Sequence, residues 1–221
     1  MLLAIIITRA ELRDALVSFV SGIKQTHSTD SVTFYQKNNY IFIFSENTPI
    51  SDLYEMTIQE YQPEKIILTD VGRSVDVDHE VGDIILPNIF FSFQKEILET
   101  EITSENRDNL IGKAKFLEIF DEQKDYFVED YGLSVGGIIV ENTPNDAEIS
   151  GKLMTVYEAD VYSENSTAEI VEIMTENIVP TIFLVGIVNG KIGKKSDENP
   201  YKIVAENMLT TIRLLNDEEN L

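Results

Sequence analysis

The feature that most constrains this chain is a series of short apolar runs, rich in β-branched residues and nearly free of polar interruptions. Such runs are typical of β-strands that are buried on both faces of a sheet. Segments with helical periodicity lie between them, and this alternation predicts a mainly parallel or mixed sheet covered on both sides. We therefore predict an α/β fold, a three-layer α/β/α sandwich with a central mixed sheet.

The predicted strands are residues 2–8, 32–35, 40–44, 65–69, 83–87, 136–140, 153–157 and 181–188. The predicted helices are residues 10–22, 51–61, 107–131, 166–177 and 201–215. The second and third strands are predicted to form a hairpin that turns at residues 37–39. The pattern assigns no element to residues 89–105. No linker, charge block or repeat divides the chain, so we predict a single domain over residues 1–221.

The charge balance excludes several classes of partner. The chain has 39 acidic and 17 basic residues and a formal net charge of −22. A field of that sign repels phosphate backbones and anionic membranes, so neither nucleic acid nor a membrane is a predicted partner. The amino terminus has an apolar run without a basic region or a small-residue cleavage site, and it is interpreted as the first strand. We expect a cytoplasmic protein.

The residue inventory also limits the chemistry. The chain has no cysteine and only two histidines, His27 and His79, which excludes disulfides, thiolate metal sites and multi-histidine zinc sites. The acidic segment 76–83 lacks the ligand spacing of a calcium loop. No G-x-G-x-x-G run follows the first strand, so a dinucleotide site is not predicted. We expect neither a metal nor a cofactor.

Open α/β sheets bind ligands beyond the carboxyl ends of their strands. The residues predicted to lie along that edge are 8–11, 69–74, 141–145, 160–164 and 188–190. The sequence "IILTDVGRSVDVDHEVGDII" supplies one of these segments, with a predicted loop after the strand 65–69. The sequences "GGIIVENTPND", "VYSENSTAEIV" and "VPTIFLVGIVNGKIG" supply three others.

In order and spacing these segments resemble the nucleoside phosphorylase and nucleosidase superfamily, and the 5′-methylthioadenosine/S-adenosylhomocysteine nucleosidases most of all. The resemblance implies cleavage of the N-glycosidic bond of a purine nucleoside without a cofactor. It also implies a small-molecule nucleoside or base as ligand and a homo-oligomer, with a dimer favoured. The reaction needs a proton for the leaving base, support for the ribose cation and an activated nucleophile.

When the family's catalytic positions are aligned with this sequence, they fall on residues of a different type from those in the family. The general acid's position falls on Asn189, an amide that can bind the base but cannot protonate it. The water-activating glutamate falls on Leu12, with Glu11 beside it as a substitute base. The ribose-binding pair falls on Ser163 and Glu164. Each position also has a structural interpretation: Asn189 as a turn residue, and Glu11 and Glu164 as acids near helix N-termini.

The binding loops are altered too. The family's anion- and ribose-binding loop falls on Gly72, Arg73 and Ser74, where Arg73 either binds a substrate anion or pairs with a neighbouring acid. The base-binding turn falls on Thr143 and Asn145, without the expected aromatic residue. Two hypotheses follow. One is a divergent nucleosidase or phosphorylase with an eroded catalytic constellation; the other is a catalytically inactive nucleoside- or base-binding regulatory protein on the same scaffold.

Overall fold

The structure is a computed structural model that describes residues 2–29, 31–74, 79–92, 101, 103–106, 115–118, 134–140, 159–163, 167–176, 178–189 and 198–216. Within these ranges the strands are β1 Leu3–Ile7, β2 Lys24–Ser28, β3 Val32–Lys37, β4 Tyr40–Ser45, β5 Lys65–Ser74, β6 Ile84–Ser92, β7 Lys115–Glu118, β8 Ser134–Val140, β9 Ala159–Ser163 and β10 Thr181–Asn189. The helices are α1 Ala10–Phe19, α2 Ile50–Tyr61, α3 Thr167–Glu176 and α4 Pro200–Leu215.

All ten strands belong to one mixed sheet with the order β10-β6-β8-β9-β5-β1-β4-β3-β2, and β7 pairs with β6. Strand β10 also pairs with β5, in parallel. Since β10 pairs with β6, β6 with β8, β8 with β9 and β9 with β5, these five strands close into a ring. Strands β1, β4, β3 and β2 extend from β5, in that order, as an open sheet. The predicted central mixed sheet is confirmed.

The two faces of the sheet are covered by different helices because successive side chains of a strand point to opposite sides. Leu3, Ile5 and Ile7 of β1 pack in one core cluster with apolar residues of α1 and α4. Ala4 and Ile6 pack in a second cluster with apolar residues of α2 and α3. All five are fully buried. The predicted three-layer α/β/α sandwich is therefore confirmed, with β1 and β5 in the middle layer.

Most predicted elements are present with shifted ends, including the hairpin formed by β3 and β4. Strand β5 is the important exception, because it continues to Ser74 where the sequence predicts a loop from residue 70. The prediction took Asp70 and Gly72 as turn signals, but β10 and β9 both pair with this segment and extend the ladder through it.

The sequence missed other strands. The five residues of strand β2 are all exposed, so the strand has no apolar pattern from which it could be predicted. Strand β9 lies in a segment predicted as a loop. The predicted helix 107–131 is wrong at Lys115–Glu118, which forms β7 against β6, and the rest of that helix lies outside the described residues. The predicted strand 153–157 also lies outside them. Among the described residues, none of the helices is long and apolar enough to cross a membrane.

The packing of α4 on β10 depends on a glycine. A Cβ added to Gly186 would lie 2.1 Å from Cγ1 of Val204, which is far inside van der Waals contact. We expect Gly186→Ala to lower the free energy of unfolding by about 2 kcal/mol, because overfilling a packed core forces neighbouring atoms to move. Urea denaturation measures this change.

The matched control is the double variant Gly186→Ala/Val204→Ala. Removing the two methyl groups of Val204 makes room for the added Cβ, so the double variant should lose less stability than the sum of the two single variants. Strictly additive losses would contradict a direct clash between these two residues.

Candidate functional site

The carboxyl ends of three neighbouring parallel strands meet at one edge of the sheet. Strand β1 pairs with β5 from Leu3 opposite Lys65 to Ile7 opposite Thr69. Strand β10 pairs with the other edge of β5 and reaches its end at Asn189, opposite Arg73. Thr8, which follows β1, and the end of β10 therefore both lie beside the distal half of β5, at the candidate edge predicted from the sequence.

One edge of β5 changes partner at Asp70. Below this residue the edge pairs with β1, and above it Gly72, Arg73 and Ser74 pair with the antiparallel strand β9. A crevice opens in an α/β sheet where a strand leaves its neighbour, because the departing strand leaves space beside that neighbour. Here β1 ends and the chain leaves β5 after Thr8, whose backbone N–H still donates to the carbonyl of Thr69 at 3.2 Å.

Asp70 sits at this change of partner and is fully buried. The hydroxyl of Thr8 donates to its Oδ1 at 2.7 Å. Nε of Arg9 lies 3.5 Å from the same oxygen, and the Arg9 side chain is 28% exposed. A buried carboxylate is tolerated only when it is paired and hydrogen-bonded. Thr8 and Arg9 meet that requirement and tie the start of α1 to β5.

A cavity of about 420 Å³ opens beside this contact. Its lining residues within the described part of the chain are Arg9, Glu11, Val71, Gly72, Arg73, Val188, Asn189, Pro200 and Tyr201. Val71 and Gly72 are buried and form its floor, whereas Glu11 and Asn189 are exposed at its rim. The volume lies within the range of small-molecule sites.

The structure brings together four of the residues predicted from the sequence, Glu11, Gly72, Arg73 and Asn189, on the wall of this one cavity. Ser163 is adjacent to them, because its backbone pairs with Gly72. Ser74 continues β5 and is not among the described lining residues. Three further predicted residues, Glu164, Thr143 and Asn145, lie outside the described residues.

The predicted loop at Gly72, Arg73 and Ser74 is corrected to a strand, and this changes what its backbone can do. The resemblance placed the family's anion- and ribose-binding loop at these three residues. Gly72 and Arg73 are instead paired on both sides, with β10 and with β9. Their amide groups therefore face neighbouring strands, and the lining residue Arg73 offers its side chain to the cavity.

Arg9, Val71 and Val188 lie within the predicted edge but were not selected as site residues, and Pro200 and Tyr201 were missed. Pro200 and Tyr201 form the first turn of α4, where the side chain of Asn199 accepts a hydrogen bond from the Tyr201 backbone N–H at 3.0 Å. The signal for this turn was an Asn-Pro pair before an amphipathic helix, which marks a helix start. Tyr201 gives the cavity an aromatic ring, which the predicted base-binding turn lacked.

Glu11 lies in the first turn of α1, and the next residue, Leu12, is fully buried in the core. The helix therefore presents Glu11 to the cavity and turns Leu12 away from it. Among the described residues, no group of three or more His, Cys, Asp or Glu side chains is placed to hold a metal ion. The chemistry available in this part of the chain is that of one carboxylate, two guanidinium groups, an amide and a phenol.

No protein-family model and no curated protein matches the chain in sequence. Solved structures do match it. The futalosine hydrolase of Helicobacter pylori superposes with a TM-score of 0.67 at 14% identity, covering 97% of each chain. The 5′-methylthioadenosine nucleosidase of Arabidopsis thaliana superposes with a TM-score of 0.66 at 13% identity, covering 98% of this chain and 96% of that one.

A third match is an aspartate-to-asparagine mutant of the H. pylori 5′-methylthioadenosine/S-adenosylhomocysteine nucleosidase, with 5′-methylthioadenosine in the active site. It superposes with a TM-score of 0.61 at 13% identity, covering 96% of this chain and 97% of that one. The chain thus has the nucleoside phosphorylase/nucleosidase fold over nearly its full length. The resemblance found in the sequence is confirmed in the fold.

The contact between Arg9 and Asp70 should dominate the local energetics. We expect Asp70→Asn to lower the free energy of unfolding by about 2 kcal/mol, since it leaves a partly buried guanidinium without its carboxylate. The matched control is Asp14→Asn, which breaks a 2.7 Å ion pair with Arg13 in which the Asp14 side chain is 70% exposed. Surface pairs of this kind contribute less than about 1 kcal/mol.

Thermal and urea unfolding of both variants measures the difference. Equal losses for Asp70→Asn and Asp14→Asn would contradict the proposed importance of the buried pair.

Proposed function

We propose that this chain binds a purine nucleoside in the cavity between α1, β5, β10 and α4 and cleaves its N-glycosidic bond slowly. The observation that carries the proposal is that Glu11 and Asn189, 178 positions apart, line one cavity. The fold is shared with nucleosidases and a futalosine hydrolase, which supports a nucleoside as the ligand. The homodimer and the cytoplasmic location remain predictions.

In the proposed complex the base lies toward Asn189 and Tyr201. The aromatic ring of Tyr201 offers a face for stacking, and the amide of Asn189 offers a hydrogen bond to a ring nitrogen. An amide does not deliver a proton, so the leaving base departs without general acid assistance. Positioned acid–base groups contribute about 10²- to 10⁴-fold to rates, and the loss of one accounts for slow turnover.

The nucleophile in this proposal is water, and Glu11 is its base. Glu11 is the one carboxylate among the described lining residues, and its exposure at the rim leaves it in contact with solvent. Ser163 and Glu164 are proposed to bind the ribose hydroxyls. Their support is the pairing of Ser163 with Gly72, which sets the end of β9 beside the cavity floor.

A second candidate is a catalytically inactive nucleoside-binding protein. It is favoured by the burial of Leu12, which occupies the position that the resemblance gives to the water-activating glutamate. It is also favoured by the amide at Asn189. The asparagine mutant of the H. pylori nucleosidase has its nucleoside bound, so that such a substitution is compatible with an occupied site in that protein.

Release of free base separates the two candidates. We expect slow release of adenine or hypoxanthine from a panel of 5′-methylthioadenosine, adenosine and inosine, measured by chromatography with and without phosphate. Glu11→Gln should reduce the rate by about 10²-fold, because an amide cannot accept the proton of water. The control Asp14→Asn removes an acid from the same helix, outside the lining, and should keep the wild-type rate.

Unchanged release by Glu11→Gln would remove Glu11 from the mechanism. No release from any member of the panel, combined with a rise in melting temperature in its presence, would establish the binding protein instead, because a ligand that binds only the native state stabilises it.

The amide at Asn189 provides a gain-of-function test. Asn189→Asp should speed base release by about tenfold or more, and the rate should rise as the pH falls, because the carboxyl must be protonated to donate. Asn47→Asp is the control, since Asn47 is exposed in the loop after β4, away from the lining residues. An Asn189→Asp protein no faster than Asn47→Asp at any pH would contradict the assigned role.

A further inference from the structure

A turn at residues 80–83 contacts both β10 and α4. The turn is closed by the backbone N–H of Asp83, which donates to the carbonyl of Glu80 at 3.2 Å, and by the carboxylate of Asp83, which accepts from the Glu80 N–H at 2.8 Å. None of its residues is among the described residues that line the cavity. The turn therefore has no chemical part in the proposed reaction, and its contacts need another explanation.

Hydrogen bonds fix this turn to the end of β10. The N–H of Gly82 donates to the carbonyl of Ile187 at 2.9 Å, and the N–H of Ile187 donates to the carbonyl of Asp83 at 2.9 Å. They continue the antiparallel pairing of β6 with β10 beyond Gly186. Ile187 is fully buried and lies two positions before Asn189. The turn thus holds β10 in place close to the residue at the cavity rim.

The same glycine contacts α4 on its other side. Nδ2 of Asn207 donates to the carbonyl of Gly82 at 2.8 Å. Gly82 is buried and has a φ of +105°, and a Cβ added to it would lie 2.7 Å from Cγ2 of Ile203. Only glycine meets both the backbone conformation and the lack of space. Because Ile203 and Asn207 are four positions apart, one face of α4 rests on this turn.

Through these contacts the turn connects the two groups proposed to hold the base. Asn189 and Tyr201 both line the cavity, one at the end of β10 and the other in the first turn of α4. Tyr201 lies six residues before Asn207, which is about 9 Å along a helix axis. Since a helix is rigid over that length, the separation of Tyr201 from Asn189 depends on how closely α4 rests on Gly82.

We propose that Gly82 and Asn207 are positioning residues for base binding. They set the separation between the ring of Tyr201 and the amide of Asn189, and neither of them touches the ligand. This inference rests on the proposed nucleoside ligand and adds the means by which the two sides of its base site are held together. A wider separation would prevent the ring and the amide from contacting one base at the same time.

A fluorescent reporter tests the positioning without any ligand. The chain has no tryptophan, so Tyr201→Trp places a single tryptophan in the cavity lining. In this background we expect Asn207→Ala and Gly82→Ala to shift the emission to longer wavelength and to increase its quenching by acrylamide, because a displaced α4 exposes the ring to water. Gly82→Ala should have the larger effect, since its Cβ must displace Ile203.

Calorimetric titration of the full chain with adenosine tests the consequence for binding. We expect Asn207→Ala to bind adenosine about fivefold more weakly than the wild-type chain, the effect of one neutral hydrogen bond. The matched control is Thr210→Ala, which removes an exposed hydrogen bond to the Glu206 carbonyl within the same helix. It should change neither the emission in the Tyr201→Trp background nor the affinity for adenosine.

The possible results separate this inference from the proposed function. A contact that only stabilises the fold would lower the melting temperature of Asn207→Ala and leave the emission of the folded protein unchanged, which would overturn the inference alone. A changed emission with unchanged adenosine affinity would overturn the role in base binding. If the emission changes but the wild-type chain binds no adenosine, the proposed function and the role in base binding are both overturned, but not the positioning of Tyr201.

Discussion

The structure depends on the pairing of β5 with other strands along both of its edges. One edge of this strand is occupied by β10 over most of its length, and the other is shared by β1 and then β9. The exchange of partners opens the cavity, and Asp70 lies where it occurs. A fully buried carboxylate at this point is costly unless paired, and Thr8 and Arg9, which lead from β1 into α1, both contact it. The position of the site therefore follows from the pairing of the sheet.

The fold was largely predictable from the sequence because its strongest signal is hydrophobic burial on both faces of a sheet. Strands β1, β5 and β10 read as nearly continuous apolar runs, and amphipathic helices follow two of them. What the sequence did not predict depends on pairing between distant segments. Every residue of strand β2 is exposed, and the second half of β5 contains Asp70 and Gly72, so neither has a local apolar pattern. Tertiary pairing overrode the local preference there.

The candidate site was partly predictable because α/β sheets bind ligands beyond the carboxyl ends of their strands, and most of the strands were predicted. Glu11, Gly72, Arg73 and Asn189 fell in segments predicted at strand ends and were selected through the family resemblance, and the structure places them in the lining of one cavity. Arg9 was within the predicted edge but was not selected, since its importance depends on Asp70, 61 positions away in the sequence. Tyr201 was missed because the start of a helix gives no sign of the cavity that it faces. The proximity of residues that are this far apart in the sequence is seen only in the three-dimensional structure.

The late position of β10 in the sequence has a consequence for biosynthesis. Strand β5 acquires β1 early, but the edge that β10 covers stays open until residues beyond 181 have left the ribosome. An apolar strand with an open edge is a template for pairing with other chains. The nascent protein therefore passes through a long interval in which its central strand needs shielding, and any truncation before β10 leaves that edge permanently uncovered.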